Sequence, residues 1–140
     1  MPAAAQQPVP LDLADFQWQN RLVLLFAPEA ADPTLRAQQQ ALRSEAAALA
    51  ERDLLTIQVV GREVLLQRSA EPEVHGAATA ARLRRAFDVD TDAFTLLLIG
   101  KDGTVKRRAA TALPMDSLYV QIDAMPMRQQ EMRENERDGE

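Results

Sequence analysis

Arg21-Leu22-Val23-Leu24-Leu25-Phe26-Ala27-Pro28 is an apolar run opened by one charge and stopped by proline. A strand with one wet face alternates apolar and polar residues, so an unbroken apolar run reads as a strand covered on both faces. Proline ends it by withdrawing a ladder N–H. Just downstream, Asp32-Pro33 supplies a helix cap followed by proline at the first helical position. From there to Arg52 the spacing of Leu35, Leu42, Ala46 and Leu49 predicts one helix with a single apolar stripe. A strand buried on both faces and followed by a helix is the opening of a crossover connection.

The rest of the chain continues that rhythm. Leu54 to Val60 alternates and is β-branched, which predicts a second strand. Gly61 to Pro72 is open between a strand extension through Val64-Leu65-Leu66 and a loop flap. Gly76 to Phe87 reads as an Ala- and Arg-rich helix. Phe94 to Ile99 is a third strand, turned at Gly100-Lys101-Asp102-Gly103 by an Asp-Gly hairpin signal into Thr104 to Arg108. Met115 to about Glu134 is helical again, interrupted at Pro126. The expected order is β-α-β-α-β-β-α, an α/β domain with a central mixed sheet of about four strands flanked by helices. Residues 1–12 read as a disordered lead-in, 13–133 as the domain, and 134–140 as a charged, fraying tail.

Composition bounds the chemistry. A chain of 140 residues makes one core. Aromatic residues are only 4% of it, so aliphatic side chains must fill that core. The formal net charge of −5 repels phosphate backbones and argues against nucleic acid as a partner. No stretch is apolar enough for membrane insertion as a spanning helix. There is no cysteine, which removes disulfides, thiolate nucleophiles and Cys-rich metal sites together. A single histidine, His75, and the lack of a calcium-loop motif leave no metal or cofactor indicated. Met1-Pro2-Ala3-Ala4-Ala5-Gln6-Gln7 has small residues of the kind that precede signal cleavage sites, which suggests export; a plain Ala/Gln terminus is the competing reading.

Phe94-Thr95-Leu96-Leu97-Leu98-Ile99-Gly100-Lys101-Asp102-Gly103 resembles the thioredoxin segment that starts at the active-site proline, with Phe94 in place of that proline. Phe26 to Thr34 lies without gaps on the thioredoxin first strand and active-site turn. Pro33 then matches the motif's proline, while Ala31 and Thr34 take the two cysteine positions. Trp18-Gln19-Asn20-Arg21, Ile99-Gly100-Lys101-Asp102-Gly103 and Ile122-Asp123-Ala124-Met125-Pro126-Met127-Arg128 together resemble a thioredoxin-like family of unknown function. That family occurs in exported bacterial proteins and, as a related module, in secreted vertebrate sushi-repeat and coiled-coil-named matrix proteins. The resemblance implies a thioredoxin-like fold and a periplasmic or secreted location, and assigns no activity.

Thiol–disulfide exchange is closed to a chain without a thiolate. The leading expectation is therefore a non-catalytic binding module that holds an unknown protein or an envelope or extracellular ligand. Its candidate surface is the former active-site turn, Pro28, Glu29, Asp32 and Thr34, with Phe94 beside it. Asp32 is better explained as the helix cap, and Thr34 lacks a base to activate it. The rival is a non-thiol enzyme using carboxylates around these loops, marked by an open polar pocket holding a carboxyl of raised pKa. A structural homo-oligomer is the third reading, with Met125, Met127 and Met132 on the last helix as dimer contacts. His75 reads as a helix-start or surface residue, Trp18 as a core plug at the sheet's end. Asp88, Asp90 and Asp92 read as a solvated loop. Lys101, Lys106, Arg107 and Arg108 read as a charge-defended edge strand, with a patch for acidic partners as the alternative.

Overall fold

The computed structural model describes residues 11–68 and 71–138. A 3₁₀ turn, Leu13–Phe16, is capped by the Asp12 carboxylate and leads into β1, Arg21–Ala27. Every residue of β1 is buried, as its unbroken apolar run requires. Leu22, Leu24 and Phe26 join the core on one face of the sheet, and Val23, Leu25 and Ala27 the core on the other. Next come α1, Pro33–Ser44, and α2, Ala46–Glu51, then β2, Leu54–Val60, parallel to β1. The single helix expected from residue 33 to 52 is broken at Glu45. The Ser44 hydroxyl donates to the Ala41 carbonyl, and the Glu45 N–H turns back to Leu42 at 3.2 Å. Serine competes for backbone carbonyls and weakens a helix interior.

The open segment after Val60 is an antiparallel hairpin. Strand β3, Glu63–Leu66, pairs with β2, and β4, Glu73–His75, pairs with β3. Helix α3, Ala77–Phe87, follows, then β5, Thr95–Ile99, antiparallel to β1, and β6, Val105–Ala109, antiparallel to β5. The chain ends in α4, Met115–Asp123, and α5, Pro126–Asp138. The sheet thus has six strands in the order β4-β3-β2-β1-β5-β6, two more than the expected four. The mixed character and helical flanks stand as expected. Helix α3 covers the face holding Phe26, whereas α1, α2 and α4 cover the face holding Leu25.

The hairpin also corrects His75. Its register opposite Val64, a core residue, turns the imidazole inward, where it is buried beside Glu73 at 3.5 Å. Trp18 is corrected in the opposite sense. It is no core plug: its side chain is 60% exposed and its φ is +71°. The conformation is held by the Trp18 N–H donating to the Lys101 carbonyl at 2.6 Å. Of the expected lead-in, residues 1–10 lie outside those described, while Leu11 is buried in the core and Asp12 caps the first turn. Helix α5 runs on through Asp138, beyond the expected boundary at 133. No helix among the described residues is long and apolar enough to cross a membrane.

Candidate functional site

The turn from Pro28 to Thr34 sits at the carboxyl ends of β1 and β2, where ligands gather in open α/β sheets. Five residues were expected to form a surface there, and the fold brings them to that end with unequal freedom. Asp32 is occupied: its Oδ1 accepts from the Thr34 and Leu35 N–H groups at 2.9 and 3.0 Å, starting α1. Thr34 is half-buried and its N–H belongs to that cap. Phe94 is buried in the core with Leu25, Ala27 and Leu35. The register pairs Phe26 with Thr95, so Phe94 lies beside the end of β1 as the resemblance implies, but its ring serves packing. Only Glu29 is exposed and Pro28 half-buried. The turn is plugged from beneath by Phe94, while Glu29, Ala30, Ala31 and Pro33 stay exposed above it.

Pro28 also lines an open groove of about 700 Å³ that runs toward α3. One wall is the turn Gly61-Arg62; the other is the α3 face carrying Ala77, Ala81, Arg84 and Arg85. Gly61 adopts φ +57°, and a Cβ there would meet the Pro28 carbonyl at 3.4 Å. Glycine is therefore favoured here by the left-handed turn, while the approach itself leaves room for a Cβ. The residue holding this end together is Arg84, which was not anticipated. Its side chain donates to the Gly61 carbonyl at 2.6 Å and the Ala27 carbonyl at 3.2 Å, tying the ends of β1 and β2 to α3. Arg84 is buried, its Nε has no partner, and burial pushes its pKa below the ordinary arginine value. The sequence carries a trace of this: Arg84 lies on the Ala80, Leu83, Phe87 stripe, where a charge is out of place.

The other end of the sheet is a charged lock. Arg21, wholly buried, makes a two-point bridge to Glu131 at 3.1 and 3.0 Å. Lys101 reaches Glu131 at 2.9 Å and Asp53 at 2.8 Å. Buried Arg128 and Arg52 both hold Asp123, at 3.0 and 2.9 Å. The Arg52 guanidinium also lies 4.1 Å from the centre of the Tyr119 ring. Burial pushes the carboxyls of Glu131 and Asp123 up. The hydrogen bonds and charges of Arg21 with Lys101, and of Arg52 with Arg128, outweigh it and hold both below their ordinary values. The three stretches that carry the family resemblance supply Arg21, Lys101, Asp123 and Arg128. They meet in one place, and what they build is the dock for α5.

Charges on and beside the β5–β6 hairpin are also engaged. Lys106 pairs with Asp102 at 2.9 Å, and Asp102 is drawn down to about 2 by the Lys106 and Thr104 hydrogen bonds. Arg108 donates to the Phe87 and Asp88 carbonyls. With Lys101 buried, the expected basic strand is not a continuous cationic patch. Asp88 is the left-handed C-cap of α3. The carboxyls held away from their ordinary range, Glu73, Asp102, Asp123 and Glu131, are all held low, and none lines the groove. Met125 packs against the core, and Met127 is exposed.

The fold is shared with a Plasmodium yoelii thioredoxin peroxidase I: the TM-score is 0.61 at 16% identity, over 86% of this chain and 80% of that one. At that identity the likeness shows the fold alone, a thioredoxin-like one without cysteine. Among proteins similar in sequence, Coiled-coil domain-containing protein 80 of Danio rerio is 33% identical over 86% of this chain and 15% of its own length. Sushi repeat-containing protein SRPX of Rattus norvegicus is 26% identical over 86% of this chain and 26% of its own length. The chain therefore spans 15% and 26% of the lengths of these two relatives. Residues 12–131 match the pattern of Domain of unknown function (DUF4174), and the chain belongs to that family.

Proposed function

We propose that this domain is a non-catalytic binding module working outside the cytoplasm, with its partner held at the carboxyl end of the sheet. The observation that carries the reading is the division of labour at that end. The turn where a thioredoxin keeps its thiols holds Ala31 and Thr34, its Asp32 is occupied as a cap and its Phe94 is core. The adjoining groove past Pro28 is open. A scaffold that has lost its nucleophile but kept an accessible cleft has shape and surface charge to work with. The resemblance to modules of secreted proteins supports the location. The rival reading, an enzyme built on carboxylates, finds no support in carboxyls that are held low and lie away from the groove.

Photo-cross-linking tests the proposal. A benzoylphenylalanine placed at Glu29 or Arg62 is expected to capture a protein or glycan partner in the native host, and one placed at Glu134 on α5 is not. Equal capture at all three positions refutes a localised surface.

Self-association is a second reading, favoured by one observation. Leu65 and Val74 are paired across β3 and β4 yet are 41% and 58% exposed, beside an edge strand. Light scattering that gives a monomer at micromolar concentration removes it.

A further inference from the structure

The groove beside Pro28 has an electrostatic character opposite to that of the molecule. The whole chain carries −5, yet the groove is lined by Arg62, Arg84 and Arg85 against one carboxylate, Asp88. None of the three arginines is in an ion pair among the described residues. Arg62 and Arg85 are exposed, one on the β2–β3 turn and the other on α3. Arg84 is only 8% exposed, and the carbonyls of Ala27 and Gly61 are its hydrogen-bond partners. A guanidinium taken out of water and met only by carbonyl dipoles keeps an uncompensated positive charge. By contrast, buried Arg21 and Arg128 at the opposite end each have a carboxylate. Arginine presents a planar fork that suits carboxylate and phosphate. Beside the charges the groove offers Ala77 and Ala81, two turns and one turn ahead of Arg84 and Arg85 on α3, and the Pro28 ring, a lining that suits a hydrocarbon and makes no hydrogen bonds through its side chains.

We propose that this groove binds an oxyanion carried on a short apolar stem, the anion between Arg62 and Arg85 above the fixed charge of Arg84, the stem along Ala77 and Ala81. The assignment rests on the binding-module reading and names the chemistry of its ligand. Carboxylate and phosphate share that chemistry, and a free anion and an acyl chain or side chain can both present it.

The test is an amide-shift titration of the full chain at low ionic strength, using hexanoate, acetate, inorganic phosphate and hexylamine as probes. Hexanoate is expected to move the amides of Gly61, Arg62, Ala77 and Ala81 saturably, and to bind more tightly than acetate, by about tenfold or more, because its four extra methylenes leave water in part along the open groove. The double substitution R62Q/R85Q, at two exposed positions, is expected to weaken hexanoate by about tenfold or more, while R107Q on β6 leaves it unchanged. Hexylamine should not move the groove amides. Three results overturn the proposal: no saturable shift with any anion, shifts spread over every exposed arginine, or binding unaltered in the double variant. Phosphate binding with no gain of hexanoate over acetate overturns the stem. These outcomes are separable from the parent reading, because cross-linking at Glu29 and Arg62 succeeds or fails whatever the small anions do.

Discussion

Trp18 shows what a single residue can hide. The sole tryptophan of an aromatic-poor chain, placed just before the first strand, invites a core assignment. Yet it stands at a left-handed φ that side chains other than glycine rarely adopt, fixed by backbone bonds, with its indole in solvent. Loss of a core tryptophan costs about 3–5 kcal/mol. Here Trp18→Gly relieves about 1 kcal/mol of backbone strain and incurs a similar entropic cost in the unfolded chain. The expected change in urea stability is therefore under about 0.5 kcal/mol. A loss near 3 kcal/mol would mean that the indole is packed. Arg84 is the converse case. Its place on the apolar stripe of α3 marks it as unusual, but periodicity does not say that the carbonyls ending β1 and β2 lie beneath it.

Among the elements, α5 depends most on charge. Its apolar contact is slight, but Glu131 joins Arg21 and Lys101, and Arg128 joins Asp123. Removing one member of a buried pair leaves the other charge unmatched, so Glu131→Ala is expected to cost about 3 kcal/mol in chemical denaturation. The same contacts make α5 acid-sensitive. Glu131 and Asp123 have folded pKa values below their unfolded values near 4.5 and 3.8. Their contribution is present above those unfolded values and is lost as pH falls through the lower, folded ones. Between pH 5 and pH 3, amide protection in α5, taken relative to the intrinsic exchange rate at each pH, is expected to fall before that of β1. Glu131→Gln should flatten the pH dependence of Tm over that interval. If protection in α5 and β1 falls together, α5 is not a separate charge-held element. This lock was half legible. The motifs around Arg21, Lys101 and Arg128 were visible as recurring pieces, but chain separations as long as that from Arg21 to Glu131 conceal that they touch.

For the whole molecule, apolar spacing revealed the parallel pair and the helical layers, and the Asp-Gly turn revealed the β5–β6 hairpin, because each signal is local in the chain. The β3–β4 hairpin was left open because its strands are short and their partner, β2, is fixed by tertiary pairing. The candidate site was read as a place, the turn after β1, and the structure separates its free side chains from those that serve the fold. Pro28 and Glu29 remain available, whereas Asp32 and Phe94 serve the fold. The frame that puts Ala31 and Thr34 on the old thiol positions can itself be tested. Ala31→Cys with Thr34→Cys restores a Cys-x-x-Cys at the start of α1, where the helix terminus favours a thiolate. That variant is expected to close an intramolecular disulfide under mild oxidation, seen as the loss of two titratable thiols. Persistent free thiols would show that the frame is misplaced.

Co-purification from the native host tests the claim about function most directly, with the wild-type chain compared against a Glu29→Lys, Arg62→Glu double variant of equal Tm. The expected result is a partner retained by the wild type and reduced about tenfold or more in the variant, as loss of central contacts requires. Retention of every partner at wild-type levels by the variant would contradict it.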